Sequence, residues 1–190
     1  MRIAHALKSA TLGLHQQTEA LMPSAALLDG SLGLEAYAQL ISALYRIHAL
    51  LEQPLQTALQ AHPRLAGHYQ PQLPSLAHDL QALEAATPCP APPTTLPDHS
   101  AATLAGMMYV LQGATLGGQV ILKGLKKNER LAHLPHQYYT GHGPQTGEKW
   151  KSFVETLEAV VPPQELGAAV EGANFTFNAF LAQLRQLQSA

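Results

Sequence analysis

The stretch that decides the fold runs from Gly106 to Gly124 and reads GMMYVLQGATLGGQVILKG. An α-helix turns by about 100° per residue, and this rotation places four glycines of the stretch within roughly 20° of one line, namely Gly106, Gly113, Gly117 and Gly124. Each helical glycine costs on the order of 1 kcal/mol relative to alanine. A chain accepts that cost where its backbone must come close to something flat or bulky. The pattern therefore predicts either close helix–helix packing or a ligand against this face, and the spacing leaves both open.

Two further features of this stretch shape the prediction. The adjacent glycines Gly117 and Gly118 favour a kink in the middle of the helix. Polar residues interrupt the apolar run and lysines follow it directly, which disfavours a membrane-helix dimer. These residues are Gln112, Thr115 and Gln119, followed by Lys123, Lys126 and Lys127.

Length and composition favour one domain over residues 1–190. The net charge of −2 and the charged fraction of 13% disfavour a nucleic-acid-binding protein. Cys89 stands alone, so no disulfide framework or CxxC motif is predicted. The N-terminus lacks a continuous apolar segment, and no run of about 20 apolar residues occurs, so we predict a soluble, cytoplasmic protein without a membrane partner.

Apolar residues recur at helical spacing along most of the chain. The spacing predicts helices at residues 4–22, 34–61, 74–86, 100–127, 146–161 and 164–188. Pro54 should kink the second of these. Residues 87–97 hold five prolines in eleven positions, and we interpret them as an internal loop because neither side alone has the segments for a core. Without alternating β-branched runs, the prediction is an all-α, single-domain helical bundle.

His15 is the first candidate for chemistry. It lies on the apolar stripe of the first helix, two turns after Lys8 and one turn before Glu19. A lone histidine there is either an ordinary core residue or a metal ligand, and imidazole suits iron. A haem iron can be held by one proximal histidine, with glycines on a facing helix giving the macrocycle room. Glu19 would then orient the imidazole, unless it is simply a solvated carboxylate.

Other kinds of site fit less well. Paired ExxH motifs of di-iron bundles and the HExxH motif of zinc proteases are absent from the sequence. The sequence also lacks a GxSxG elbow, a P-loop and a dinucleotide fingerprint. We therefore expect no flavin or nicotinamide site in this chain.

Four segments resemble the haem oxygenase family. LKSATLGLHQQTE (Leu7–Glu19) resembles the family's proximal segment, and YVLQGATLGGQVI (Tyr109–Ile121) resembles its distal helix. TGHGPQTGEKWKSF (Thr140–Phe153) and GANFTFNAF (Gly172–Phe180) resemble two later segments of the bacterial branch associated with bacteriophytochromes. The four occur in family order and span nearly the whole chain.

The resemblance implies a haem held between a proximal N-terminal helix and a kinked, glycine-rich distal helix. His15 would be the ligand of the haem iron, and Gly113, Gly117 and Gly118 would lie over the distal face and shape the oxygen pocket. Lys8 and, less securely aligned, Lys151 would pair with the haem propionates. The remaining implied positions are Thr11 and Glu19 around the ligand and the aromatic Phe177 of the last helix, which could equally be an ordinary core residue.

One position departs from the family pattern. Many members carry an aspartate directly after the first distal glycine, where it organises water for proton delivery. This chain has Ala114 there, whose side chain neither donates nor accepts a hydrogen bond. Ordered water held by backbone carbonyls near Gly113, or the Thr115 hydroxyl if the kink turns it inward, could take over this role.

The function that the resemblance implies is oxidative cleavage of haem to biliverdin, CO and ferrous iron. Haem b would be both substrate and cofactor, O₂ the oxidant, and an external electron-donor protein, ferredoxin-like or a flavin reductase, the source of electrons. A bacteriophytochrome could accept the biliverdin. The alternative is a haem carrier, store or sensor without efficient turnover, which Ala114 keeps open. A third possibility is that the scaffold binds a ligand other than haem.

Overall fold

The structure, a computed structural model, describes residues 2–89 and 92–188. Within these ranges the chain is helical and contains no β-strand. The helices are α1 (Ile3–Leu21), α2 (Ser24–Asp29), α3 (Leu34–Leu59), α4 (Pro63–Ala66), α5 (Leu73–Ala82), α6 (Ala101–Leu125), α7 (Gln137–Thr140), α8 (Thr146–Val160) and α9 (Leu166–Leu187). Short 3-10 turns precede α8 and α9, at Gly143–Gln145 and Pro163–Glu165. The predicted all-α fold is confirmed.

Each of the six predicted helical segments corresponds to one helix, namely α1, α3, α5, α6, α8 or α9. The short helices α2, α4 and α7 were not predicted, because four to six residues are too few to show a helical period. Helix α5 ends at Ala82, earlier than predicted, since Glu84 adopts a left-handed conformation with φ of 52°. The proline-rich segment contains no helix or strand over residues 87–89 and 92–97, and residues 90 and 91 lie outside the described residues.

Helix α6 is the central element of the bundle. It packs most extensively against α9, and also contacts α2, α7 and α8. Within the described ranges, buried side chains from all nine helices form one hydrophobic cluster, which Leu96 of the proline-rich segment joins. Both halves of the chain, before and after that segment, therefore contribute to the same core.

Two glycines allow α6 and α9 to cross with their backbones in contact. A Cβ atom added at Gly106 of α6 would overlap the carbonyl oxygen of Ala169 in α9. Conversely, a Cβ added at Gly172 of α9 would overlap the carbonyl oxygen of Thr103 in α6. Gly124, at the other end of α6, has the same relation to the carbonyl oxygen of Leu27 in α2. Close packing thus explains the two outer glycines of the four-glycine line.

Helix α1 is fixed at its N-terminus by a carboxylate from α8. The main-chain N–H groups of Ile3 and Ala4 donate to the two carboxylate oxygens of Glu158, at 2.9 and 3.0 Å. A carboxylate at this end also complements the helix dipole. Helix α1 rests along α9 for much of its length. No helix in the described part of the chain is long and apolar enough to span a membrane.

A buried carboxylate supports α7 behind α6. Asp79 of α5 accepts hydrogen bonds from the main-chain N–H groups of Gln137 and Tyr138, at 2.7 and 2.9 Å. From α6, the Gln119 side-chain amide donates to the carbonyl oxygens of Tyr139 and Thr140. Burial raises the pKa of Asp79 above its usual value. These bonds hold α7 against the side of α6 that carries Gly118.

His136, just before α7, is buried in its neutral form. Its Nε2–H donates to the carbonyl oxygen of Leu131 at 2.9 Å, and its Nδ1 accepts from the hydroxyl of Tyr37 at 2.8 Å. Burial lowers the pKa of His136 below its usual 6.5. The unfolded chain therefore binds a proton at His136 more readily than the folded chain does.

We expect the free energy of unfolding to fall as the pH drops below 6.5, because a lowered folded-state pKa favours the native state only while the histidine is neutral. One such histidine gives a slope of at most about 1.4 kcal/mol per pH unit. His68 and His142, whose pKa values are also lowered, add slopes of the same sign. Urea unfolding of wild type and His136→Asn from pH 7 downward measures the slope. An unchanged slope in the variant would contradict the assignment to His136.

Candidate functional site

A cavity of about 670 Å³ opens between α1 and α6. This is within the usual range of small-molecule sites. The walls are mostly apolar, and α8 and α9 contribute aromatic side chains to them. Its lining residues are Lys8, Thr11, Leu12, His15, Gln16, Thr18 and Glu19 from α1, Tyr109, Val110, Gly113, Ala114, Leu116 and Gly117 from α6, and Trp150, Phe177 and Phe180 from α8 and α9.

The α1 wall presents the predicted histidine. His15 has 54% of its side chain exposed, and its Nδ1 lies 3.4 Å from a carboxylate oxygen of Glu19. Its ring meets that of Phe177 edge-on, with the centroids 6.0 Å apart. Among the described residues, Nε2 has no hydrogen-bond partner. An imidazole whose Nδ1 faces a carboxylate and whose Nε2 is available has the arrangement of a metal-ligating histidine.

Two other predicted residues share this wall. Lys8 lines the cavity and is the one lysine or arginine to do so in the described ranges. Thr11 also lines it, but its hydroxyl donates to the carbonyl oxygen of Leu7 at 2.8 Å and is buried within α1. Lys8 can therefore offer a charge to an anionic ligand, whereas Thr11 contributes surface.

Two glycines shape the α6 wall, because they place no side chain in the cavity. A Cβ added at Gly117 would meet no atom within 4 Å, and one added at Gly113 would lie 3.7 Å from the Trp150 ring. Ala114 carries only a methyl group into the same wall. The two inner glycines of the four-glycine line thus keep the cavity open, while the two outer ones serve helix packing. The packing interpretation is therefore confirmed for the outer pair, and the inner pair borders a cavity in which a ligand stays a prediction.

Three aromatic side chains complete the cavity beyond what the sequence pattern singled out. Tyr109 and Trp150 pack with ring centroids 5.6 Å apart, and Phe180 also lines the cavity. The Tyr109 hydroxyl has no hydrogen-bond partner among the described residues, and burial raises its pKa, so it remains a donor. Tyr109 lies one turn before Gly113 on the same face of α6, and this spacing is the signal that could have identified it.

Three predicted residues lie away from the cavity. The Thr115 hydroxyl donates to the carbonyl oxygen of Gln112 at 2.6 Å, and its Cβ faces Gly141. Gly118 faces Tyr139, whose carbonyl oxygen would be 3.4 Å from an added Cβ. Lys151 is exposed on α8, while its neighbour Trp150 takes the cavity-facing position. Successive helical residues point about 100° apart, so Gly113 and Gly117 can face the cavity while Thr115 and Gly118 cannot.

Comparison with known proteins agrees with this geometry. The family model described as haem oxygenase matches residues 1–186. The chain belongs to the haem oxygenase family. A haem oxygenase from Xanthomonas campestris pv. campestris (strain 8004) is 31% identical over 157 residues, covering 82% of this chain and 92% of that protein. The resemblance stated from the sequence, and with it the predicted enzyme class, is confirmed.

Solved structures of this family share the fold. The haem oxygenase of Neisseria meningitidis, solved with NO and CO bound, superposes with a TM-score of 0.75 at 21% identity, covering all of this chain and 93% of that one. Haem oxygenase-1 of Synechocystis sp. PCC6803, solved in complex with haem, gives a TM-score of 0.75 at 18% identity over 100% and 93% of the two chains. At these identities the likeness supports the fold. The bacteriophytochrome-associated branch stays a prediction.

Proposed function

We propose that this chain binds haem in the cavity between α1 and α6 and cleaves it to biliverdin, CO and ferrous iron, using O₂ and external electrons. The observation that carries the proposal is His15, the one imidazole in the cavity lining, which lies across an apolar cleft from the glycine face of α6. Membership of the family supports haem cleavage as the reaction, and the cavity supports a haem site between α1 and α6.

The residues present fit a haem. A flat apolar macrocycle needs a slot with aromatic and aliphatic walls, and Gly117 leaves such a slot beside α6 because no Cβ projects into it. The iron needs one nitrogen donor, which His15 offers with Glu19 behind it. Elsewhere in the described ranges no group of three or more His, Cys, Asp or Glu residues could hold a metal ion. The donor set therefore suits a macrocycle that brings its own four nitrogens.

Two polar groups are suited to the haem propionates. Lys8 offers a positive charge from α1, and the Tyr109 hydroxyl offers an unshared donor from α6. Charge-assisted hydrogen bonds of this type are about twice as strong as neutral ones. We assign both residues to carboxylate binding, and Lys151 is not assigned because it lies outside the lining.

When bound, haem supplies the iron at which O₂ is reduced and the porphyrin that is opened. The protein contributes orientation and a restricted pocket. Glu19, whose carboxylate oxygen lies 3.4 Å from Nδ1 of His15, is placed to orient the imidazole. The wall of the cavity on the side of α6 is formed in part by Gly113, Ala114 and Gly117, none of which has an acidic side chain. Because Thr115 donates to Gln112 and lies outside the lining, we assign proton delivery to ordered water near the Gly113 backbone.

The partners in this proposal are an electron-donor protein, since the sequence lacks a flavin or nicotinamide fingerprint, and a bacteriophytochrome as the acceptor of biliverdin. A cytoplasmic location belongs to the same proposal. The second candidate function is a haem carrier, store or sensor, and Ala114 is the observation that favours it, because the usual distal acid is missing.

Two measurements separate these functions. Trp150 is the chain's single tryptophan and lines the cavity, so haem binding there is expected to quench its fluorescence. An absorption time course in air with ascorbate and an iron chelator is then expected to show loss of the Soret band and formation of biliverdin. If haem quenches the fluorescence but is not degraded, even with a competent reductase, the result would favour a haem carrier, store or sensor. Unquenched fluorescence at saturating haem would point to another ligand.

A further inference from the structure

Two tyrosine–histidine pairs lie in the interior beside α7. The hydroxyl of Tyr37 is 2.8 Å from Nδ1 of His136, and the hydroxyl of Tyr138 is 3.4 Å from Nε2 of His48. None of these four residues lines the cavity, so the proposed function does not use them. Both histidines are buried, each with 2% of its surface exposed. A histidine in this position is placed to take up the proton of the phenol beside it.

A buried carboxylate supports the histidine of the second pair. Oε1 of Glu52 lies 2.9 Å from Nδ1 of His48 and also accepts from the main-chain N–H of Gln72 at 2.6 Å. Because Nδ1 faces an acceptor, it carries the proton, and Nε2 is left to accept from the hydroxyl of Tyr138. The same carboxylate would stabilise the imidazolium that forms when Nε2 takes that proton.

The histidine of the first pair has an equivalent support. Nδ1 of His136 accepts from Tyr37, while Nε2–H donates to the carbonyl oxygen of Leu131. Burial lowers the pKa of His136, whereas the hydrogen bond to Leu131 and the charge of Asp79 oppose this lowering. Each pair therefore combines a phenol that can lose a proton, a histidine that can accept it and a carboxylate that stabilises the resulting charge.

Tyr139 connects the two pairs with one another and with the cavity. The centroid of its ring is 5.1 Å from that of Tyr138 and 6.5 Å from that of Tyr37. The ring also faces α6, where a Cβ added at Gly118 would lie 3.6 Å from Cδ1 of Tyr139. The preceding residue, Gly117, lines the cavity. At these two glycines the backbone of α6 thus lies between the tyrosine rings and a ligand in the cavity, with no side chain to lengthen the path.

We propose that the pairs Tyr37–His136 and Tyr138–His48 are one-electron donors that reduce hydroperoxide at a haem bound in the cavity. The inference rests on the proposed function, because O₂ that gains two electrons there without attacking the haem leaves as hydroperoxide. In each pair the tyrosine gives up one electron, its O–H bond breaks, and an N–H bond forms on the histidine. A tyrosyl radical and an imidazolium remain.

The electrons and protons of this reaction balance. The two pairs together supply two electrons, which with two protons from solvent convert one H₂O₂ into two molecules of water. The external electron donor of the proposed function then reduces each radical, and the histidine returns its proton to the phenolate. The pairs are thereby restored, and oxidising equivalents that miss the haem are removed without damage to the protein.

Two aromatic residues of the cavity lining are the alternative donors. Tyr109 and Trp150 both line the cavity, so they lie closer to a bound haem than the two pairs do. Oxidation of a phenol at neutral pH releases its proton, however, and the hydroxyl of Tyr109 has no acceptor among the described residues. Proton transfer requires an acceptor within hydrogen-bond reach. This requirement favours the tyrosine–histidine pairs.

The test mixes the ferric, haem-loaded protein with an excess of H₂O₂ and records electron paramagnetic resonance spectra of frozen samples. A tyrosyl radical signal is expected, and it should narrow when the protein is made with ring-deuterated tyrosine. The variant Y37F/Y138F, which removes both hydroxyls and keeps both rings, should lose most of the signal. Tyr45→Phe is the matched control and should keep it, since Tyr45 lies on the same helix as Tyr37 and outside the cavity lining.

Three results would overturn the proposal. A signal that tyrosine deuteration does not change would place the radical on Trp150, and loss of the signal in Tyr109→Phe would place it in the cavity lining. A wild-type signal in Y37F/Y138F would exclude the pairs as donors. If circular dichroism shows that this variant does not fold, Tyr138→Phe alone replaces it and should lose part of the signal, and an unchanged signal there would count equally against the proposal.

Failure of this inference can be distinguished from failure of the proposed function. Haem that is cleaved with ascorbate but yields no tyrosyl radical with H₂O₂ would refute the inference alone. Haem that leaves the Trp150 fluorescence unquenched would refute the proposed function, and the inference with it.

Discussion

Replacement of His15 by alanine is expected to reduce haem cleavage at least about 100-fold. Loss of a residue that only supports a metal ligand costs up to about 100-fold in activity, and loss of the ligand itself should cost more. Among the described residues, the cavity lining offers no second imidazole. The Soret spectrum of the reconstituted variant should differ from that of wild type because the nitrogen ligand is lost. Imidazole added to the variant should partly restore both, since the truncated side chain leaves room for it.

The matched control is His5→Ala. His5 lies on the same helix, is exposed and does not line the cavity, so its loss should leave the spectrum and the rate unchanged. Absorption spectra, turnover with ascorbate and quenching of Trp150 fluorescence are compared across the two variants. Wild-type spectrum and rate in the His15 variant would refute the assignment of the iron ligand.

The placement of the α1 residues could be predicted from the sequence because it depends on one helix alone. His15 and Glu19 are four residues apart, and Lys8 lies seven residues before His15, so a regular helix puts all three on one face. The structure places them together in the cavity lining. The helical period is sufficient to predict which residues lie together when all of them belong to one helix.

The other walls depend on helices that are distant in sequence, and prediction there was less complete. A regular helix places Trp150 on the same face as Phe153 and Leu157. Only the packing of α8 shows that Trp150 lines the cavity while the other two are buried in the core. A shift of one position rotates a helical residue by about 100°, which is why Trp150 lines the cavity and Lys151 does not. The four-glycine line was ambiguous for the same reason, since its spacing defines a face but not what lies opposite.

Alanine at Gly106 is expected to lower the free energy of unfolding by about 1–3 kcal/mol, the usual cost of overpacking a dense interior. The added Cβ would overlap the carbonyl oxygen of Ala169, and because that oxygen belongs to the backbone of α9, the helices must separate. The intrinsic preference of helices for alanine opposes this by up to about 1 kcal/mol. Alanine at Gly172 should have the same effect from the other side, through the carbonyl oxygen of Thr103.

The sign of the change in the free energy of unfolding distinguishes a glycine needed for close helix packing from one where only helix propensity matters. Gly13 lies in the middle of exposed α1 and a Cβ there would meet nothing within 4 Å, so Gly13→Ala should stabilise the protein by about 0.5–1 kcal/mol. Urea unfolding of the haem-free variants, followed by circular dichroism, should therefore move the midpoint in opposite directions for Gly13 and Gly106. If alanine at Gly106 stabilised the protein as it does at Gly13, the backbone contact between α6 and α9 would be wrong. Gly106 would then have as much room for a side chain as Gly117 has. The distinction between glycines that serve helix packing and glycines that border the cavity would be refuted as well.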